Sequence, residues 1–185
     1  GIDWTGMLRA GLANVVSMSK SQGASTITMQ VARNFYLSSE KTYSRKFYEL
    51  LLTYKIESEL TKDQILERYL NIAYYGDGAY GVEAAAKHYF GVTADKLDLG
   101  QAAMLAGLVQ NPVSYDPVNN PEAAITRRNV VLTRMKSLGL VSEKDVQAAM
   151  KQGFNRSRVT YPKTGCISSK YPFVCNYVYQ SLLSS

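Results

Sequence analysis

The 185-residue chain carries 21 Lys and Arg against 15 Asp and Glu, a formal charge of +6, with 46% hydrophobic and 19% charged residues. That length buries a core as one domain, or one domain plus a tail, and the composition excludes global disorder. A basic excess favours an anionic partner (nucleic acid, anionic lipid headgroups or a phosphorylated substrate), and without an Arg-rich arm or an RNP-type aromatic strand nucleic acid is not expected.

Helix follows helix through the first 150 residues. Leu8, Leu12 and Val15 mark one face of an opening helix. In Gly23-Ala24-Ser25-Thr26-Ile27-Thr28-Met29-Gln30, three hydroxyls and an amide follow a glycine, and Ser25 or Thr26 suits the N-cap of the next helix. Phe47, Leu50, Leu51 and Tyr54, at i, i+3, i+4 and i+7, predict the core face of a third. Ile65, Leu66, Tyr69 and Leu70 stripe the following one, which stops at Tyr75-Gly76-Asp77-Gly78. A short helix is expected around Val82 to Tyr89. Asp98 suits the cap of an Ala-rich helix ending before Asn111-Pro112, and Pro121 suits the first turn of a helix reaching Leu138. Ser142 with Asp145 resembles a capping box opening a last helix to about Gln152.

After Gly153 the periodicity fades, so residues 1–152 are read as the domain and 153–185 as a connector toward another module. Ala102 to Val109 is the longest apolar run, far short of the roughly 20 residues a bilayer span needs. Cys166 and Cys175 permit a small disulfide in an oxidising compartment or two free thiols; with a lone distant His88 they make no zinc site.

The chemistry concentrates in two places. A helix start near Ser25 offers free N–H groups and partial positive charge to a phosphate, and Arg33 and Asn34 follow about two turns on. Arg45-Lys46-x-x-Glu49 puts Arg45 and Glu49 on one helical face with Lys46 beside them. It reads either as an exposed ion pair or as a carboxylate kept ionised for a divalent metal or a pyrophosphate. Glu67 and Asn71, four apart, are explained by helix-internal polar contacts, while Arg127-Arg128 reads as solvated charge or an anion contact and His88 as structural. A P-loop, a GxSxG elbow and an HExxH helix are absent from the sequence.

Five blocks occur in a telling order: Gly23-x-Ser25-Thr26-Ile27-Thr28-x-Gln30-x-x-Arg33-Asn34; Arg45-Lys46-x-x-Glu49; Ile65-Leu66-Glu67-x-Tyr69-Leu70-Asn71; Gly78-Ala79-Tyr80-Gly81-Val82 with Tyr89-Phe90-Gly91; and Arg127-Arg128 with Val131-Leu132. Over about residues 1–150 the chain resembles the family 51 peptidoglycan glycosyltransferase domain of class A penicillin-binding proteins and monofunctional glycosyltransferases. The looser Tyr171-Pro172-Phe173-Val174-Cys175-x-Tyr177 block resembles the linker to a transpeptidase domain, favouring the bifunctional class.

The resemblance implies a mainly α, lysozyme-like fold with a smaller, membrane-facing jaw lobe. It also implies an enzyme at the outer face of the cytoplasmic membrane that polymerises lipid II onto a nascent glycan strand and releases undecaprenyl pyrophosphate. Such chemistry needs a base for the attacking hydroxyl and positive charge for the departing diphosphate. By the same resemblance Glu49 is the second functional glutamate, catalytic and the ligand of a divalent Mg or Mn ion. Ser25, Thr28, Gln30, Arg33, Asn34 and Lys41 fall at donor-site positions, and Arg45 and Lys46 form the basic pair.

Three departures stand out. The family has two consecutive glutamines where this chain has Met29-Gln30, which is expected to cost one sugar contact. Lys is usual at Arg33 and Arg at Lys41, swaps that keep charge but change phosphate geometry. The family's general-base glutamate falls ahead of Gly1, so the 185-residue chain alone is expected to be inactive. Competing readings are a lysozyme-like lytic hydrolase and a non-catalytic glycan-binding module; the basic segment argues against the hydrolase, because cutting a neutral glycosidic bond needs no diphosphate cradle.

Overall fold

A computed structural model describes residues 25–36 and 43–161, together with Thr5, Tyr171, Phe173, Val174, Tyr177, Val178 and Ser181. The expected opening helix, Gly23, Lys41, the Arg45 side chain, Cys166 and Cys175 lie outside what is described. Among the described residues the fold is mainly α, with seven helices: α1 Ile27–Tyr36, α2 Tyr43–Glu59, α3 Lys62–Ile72, α4 Val82–Phe90, α5 Leu99–Leu108, α6 Pro121–Ser137 and α7 Glu143–Met150.

Local chemistry sets most of these boundaries. Thr61 and Asp98 each accept from the backbone N–H three residues on, and Gln64 and Gln101 reciprocate, giving two capping boxes. Ser142 accepts from the Asp145 N–H, and Pro121 opens α6. The α3–α4 connection turns through Gly76, Asp77 and Gly78, all at positive φ, and is closed by an isolated Tyr74–Tyr80 bridge.

The main core gathers Val31, Ile65, Tyr69, Tyr89, Leu105 and Leu108 from four helices. Ala103, Leu132, Val146 and Ala149 form a second cluster beneath α7. The chain stays on this domain past α7, because Phe154 and Val159 pack against the main core.

Gly81 joins the turn to α4 at φ +83°, and a Cβ there would sit 2.7 Å from the Asn71 carbonyl oxygen. Both the backbone conformation and the contact oppose any side chain. Gly81→Ala is therefore expected to cost about 2 kcal/mol or more, read as a lowered thermal midpoint.

One expectation about α2 reverses. Its presumed core stripe faces outward: Phe47 is 61% exposed, Leu51 52% and Tyr54 75%. The inward edge carries Glu49 and Thr53, 1% and 0% exposed. Those polar groups are satisfied where they lie, since the Thr53 hydroxyl donates to the Glu49 carbonyl at 2.6 Å and Lys46 pairs with the Glu49 carboxylate. A polar inner edge with local partners leaves the apolar stripe on the surface.

Candidate functional site

The site is built where α1 begins against α2. The Thr26 hydroxyl accepts from the Met29 N–H at 3.3 Å, so Thr26 takes the capping role at the start of α1. From there the helix divides into two faces. Thr28, Met29, Val31 and Ala32 are buried; Ile27 and Asn34 are exposed, and Gln30 and Arg33 lie half-buried beside them.

The open face thus unites three of the residues expected to contact a donor: Gln30, Arg33 and Asn34. Thr28 is separated from them. It is buried, and its hydroxyl donates to Glu57 of α2 at 2.6 Å, so it locks α1 onto α2. Met29 corrects another expectation. It is 0% exposed and belongs to the interior, where a thioether packs well, so its replacement of glutamine removes no surface contact in this structure.

Lys46 is the hinge of the arrangement. Its ammonium donates to Glu49 Oε1 at 2.7 Å and to Ser25 Oγ at 3.3 Å, tying the foot of α1 to the middle of α2. Glu49 is buried while the Lys46 side chain stays 41% exposed, so this is a buried carboxylate capped by a solvent-facing cation rather than a surface ion pair. Two turns along α1, the Arg33 Nε is buried without a hydrogen-bond partner. A guanidinium N–H left unmatched costs free energy until an anion meets it.

A groove of about 590 Å³ adjoins this face, lined by Ile27, Gln30, Leu66, Tyr69, Leu105 and Arg127 among others. Its walls are mainly apolar. Polar atoms gather at Gln30, whose Oε1 accepts from the Tyr69 hydroxyl at 3.4 Å, and at Arg127, whose Nε is also unpartnered. Burial pushes the Tyr69 hydroxyl up, and burial with the neighbouring Tyr69 pushes Tyr75 up to about 12, so both stay protonated donors at neutral pH.

The later motif residues divide by burial. Glu67 and Asn71 are exposed on α3. Arg128 is 1% exposed, which removes the reading of it as solvated charge. Its guanidinium donates to the carbonyls of Gln152 at 2.6 Å and Met150 at 2.9 Å, and to Asn129 Oδ1, spending its donors on the end of α7. Burial pushes its pKa down and the Asp98 charge opposes this.

A divalent metal at Glu49 meets a sparse donor set. Among the described residues no group of three His, Cys, Asp or Glu comes together, and Glu49 already faces Lys46. One carboxylate cannot cage an ion, but it suits an ion whose other ligands are water and substrate phosphates.

The described structure is thus a helical domain with an open α1 face beside a Lys46–Glu49 pair. The family described as Transglycosylase matches residues 1–136. The chain is 55% identical over 150 residues to a Cupriavidus necator protein named as a transglycosylase, covering 81% of this chain and 64% of that one. It is 48% identical over 158 residues to penicillin-binding protein 1A of Neisseria gonorrhoeae, covering 85% of this chain and 20% of that protein. Among solved structures, penicillin-binding protein 1A from Haemophilus influenzae matches with a TM-score of 0.52 and 26% identity over 85% of this chain and 20% of that one. The chain belongs to the transglycosylase family, and it spans less than two thirds of each of these relatives.

Proposed function

We propose that this domain is a peptidoglycan glycosyltransferase that lengthens glycan strands from lipid II. In that reaction the bond between the donor's anomeric carbon and its diphosphate breaks. A new bond forms from the acceptor's 4-hydroxyl oxygen, whose proton passes to a base, and undecaprenyl pyrophosphate leaves. The observation that carries the reading is the Lys46 bridge, which sets a cation between Ser25 and buried Glu49 beside the open face of α1.

Lys46 and Arg33 hold the diphosphate, the two cations meeting charge that grows as the leaving group departs. Gln30 and Asn34 take sugar hydroxyls, with Ser25 at the foot of α1, and Lys41 and Arg45 keep the donor-contacting roles that the family resemblance implies. Glu49 orients Lys46, and its carboxylate would hold a Mg or Mn ion, which would add positive charge at the diphosphate.

The outward stripe of Phe47, Tyr48, Leu51 and Tyr54 on α2 suits a lipid surface, and the +6 charge suits anionic headgroups. No helix among the described residues is long and apolar enough to cross a membrane. On this reading the stripe lies against the outer leaflet of the cytoplasmic membrane, with a transpeptidase domain as the partner module in the same polypeptide, as in class A penicillin-binding proteins.

The test incubates the full-length protein with lipid II or with preformed glycan and sizes the products by gel. Lengthening strands from lipid II are expected, falling about a hundredfold for Lys46→Met. Shortening of preformed glycan, with lipid II untouched, would establish a lytic hydrolase instead.

A further inference from the structure

The other end of α4 carries a cluster that glycosyl transfer does not use. His88, the chain's one histidine, is 3% exposed. Its Nδ1 lies 2.7 Å from the Thr160 carbonyl oxygen, and its Nε2 lies 2.9 Å from Asp77 Oδ2 in the α3–α4 turn. Thr160 returns two bonds to the same helix end. Its N–H donates to the His88 carbonyl and its hydroxyl to the Lys87 carbonyl, both at 2.8 Å. The strap from Asn155 to Tyr161 is thus fastened to α4 around a single imidazole.

We propose that His88, Asp77 and the Thr160 backbone form a proton-dependent clasp that holds the 155–161 strap against α4. Both ring nitrogens face oxygens that only accept, and an imidazole supplies two N–H donors only when doubly protonated. The neutral ring donates to one oxygen and turns a lone pair on the other. Losing the second proton therefore withdraws either the bond to Thr160 or the charge-assisted bond to Asp77.

Two tyrosines and an ion pair stand beside the ring. Burial foremost, then Asp116 and Asp77, pushes the Tyr89 hydroxyl up, and that hydroxyl donates to the Tyr75 carbonyl. The Asp77 charge foremost, then slight burial, a hydrogen bond to Asp77 and the Asp116 charge, pushes the Tyr161 hydroxyl up against Arg156. Lys87 pairs with Glu83 at 2.8 Å, and that bond, aided by the Ala94 N–H, holds the Glu83 carboxyl down. Histidine is the side-chain type among them that changes charge between about pH 5 and about pH 8. The sign follows from the donor count: the clasp is complete while the ring holds both protons and weakens once the second leaves.

The Thr160 amide reports the clasp, because it is bonded to the His88 carbonyl. In the full chain, hydrogen exchange at Thr160, corrected for the intrinsic pH dependence, should lose about tenfold in protection between about pH 5 and about pH 8. Asp77→Asn should flatten that dependence, because its amide can donate to a neutral Nε2, and asparagine tolerates the φ of +47° found at this position. Protection that does not change with pH in the native chain, or a dependence that survives Asp77→Asn, overturns the proposal. Ring ¹⁵N shifts of His88 in the native protein give a second reading that needs no variant: a neutral pattern at about pH 5 also overturns it.

Discussion

Glu49→Gln in the full-length protein is expected to lower glycan polymerisation by at least about a hundredfold while the protein stays folded. Glutamine keeps the shape of the buried side chain but removes the charge that holds Lys46, itself 41% exposed, between α2 and Ser25. Freed of its partner, the ammonium swings into water and the diphosphate loses a fixed cation. Folding suffers little, because the Thr53 hydroxyl bonds to the Glu49 backbone carbonyl rather than to its carboxylate. The stability loss should stay within about 1–2 kcal/mol. Turnover measured beside a thermal melt separates the two effects, and unchanged turnover would reduce Glu49 to an ion-pair partner.

Arg128→Met is expected to act in the opposite sense, costing stability first. Three acceptors lose charged donors at once: the carbonyls of Met150 and Gln152, and Asn129 Oδ1. With Arg128 buried, no water replaces it cheaply, and a loss of about 3 kcal/mol follows, or roughly 6–12 °C in thermal midpoint. Arg128→Lys should recover little, since one ammonium cannot reproduce the guanidinium fork across acceptors from both α6 and the end of α7. A methionine variant melting within about 1 °C of the native protein would show that the end of α7 needs no cap from Arg128.

These two residues also mark what was legible in the sequence. Helix starts were readable wherever a local residue makes the cap, as at Asp98, Pro121 and Ser142, because their chemistry acts over three or four positions. The open face of α1 was readable too, since Gln30, Arg33 and Asn34 recur at helical spacing. Misreadings came where partners lie far apart in the chain. Thr28 meets Glu57 across 29 positions and Lys46 meets Ser25 across 21, contacts that no spacing rule contains.

The apolar stripe of α2 misled for a related reason. Phe47, Leu51 and Tyr54 carry the period of a core helix, and the same period fits an amphipathic helix whose apolar face stays exposed. One signal lay unused: Glu49, Thr53 and Glu57 also recur every four positions, on the opposite edge. Arg128 gave no local sign at all, because its acceptors Met150 and Gln152 lie more than twenty positions downstream.

Service to a lipid diphosphate donor is the role proposed for the α1 face and the Lys46–Glu49 pair. It is tested most directly by counting undecaprenyl pyrophosphate released by the full-length protein against disaccharide units added to the strand. One pyrophosphate per unit added is expected, with both falling together in Lys46→Met. Glycan turnover with no pyrophosphate released would contradict it.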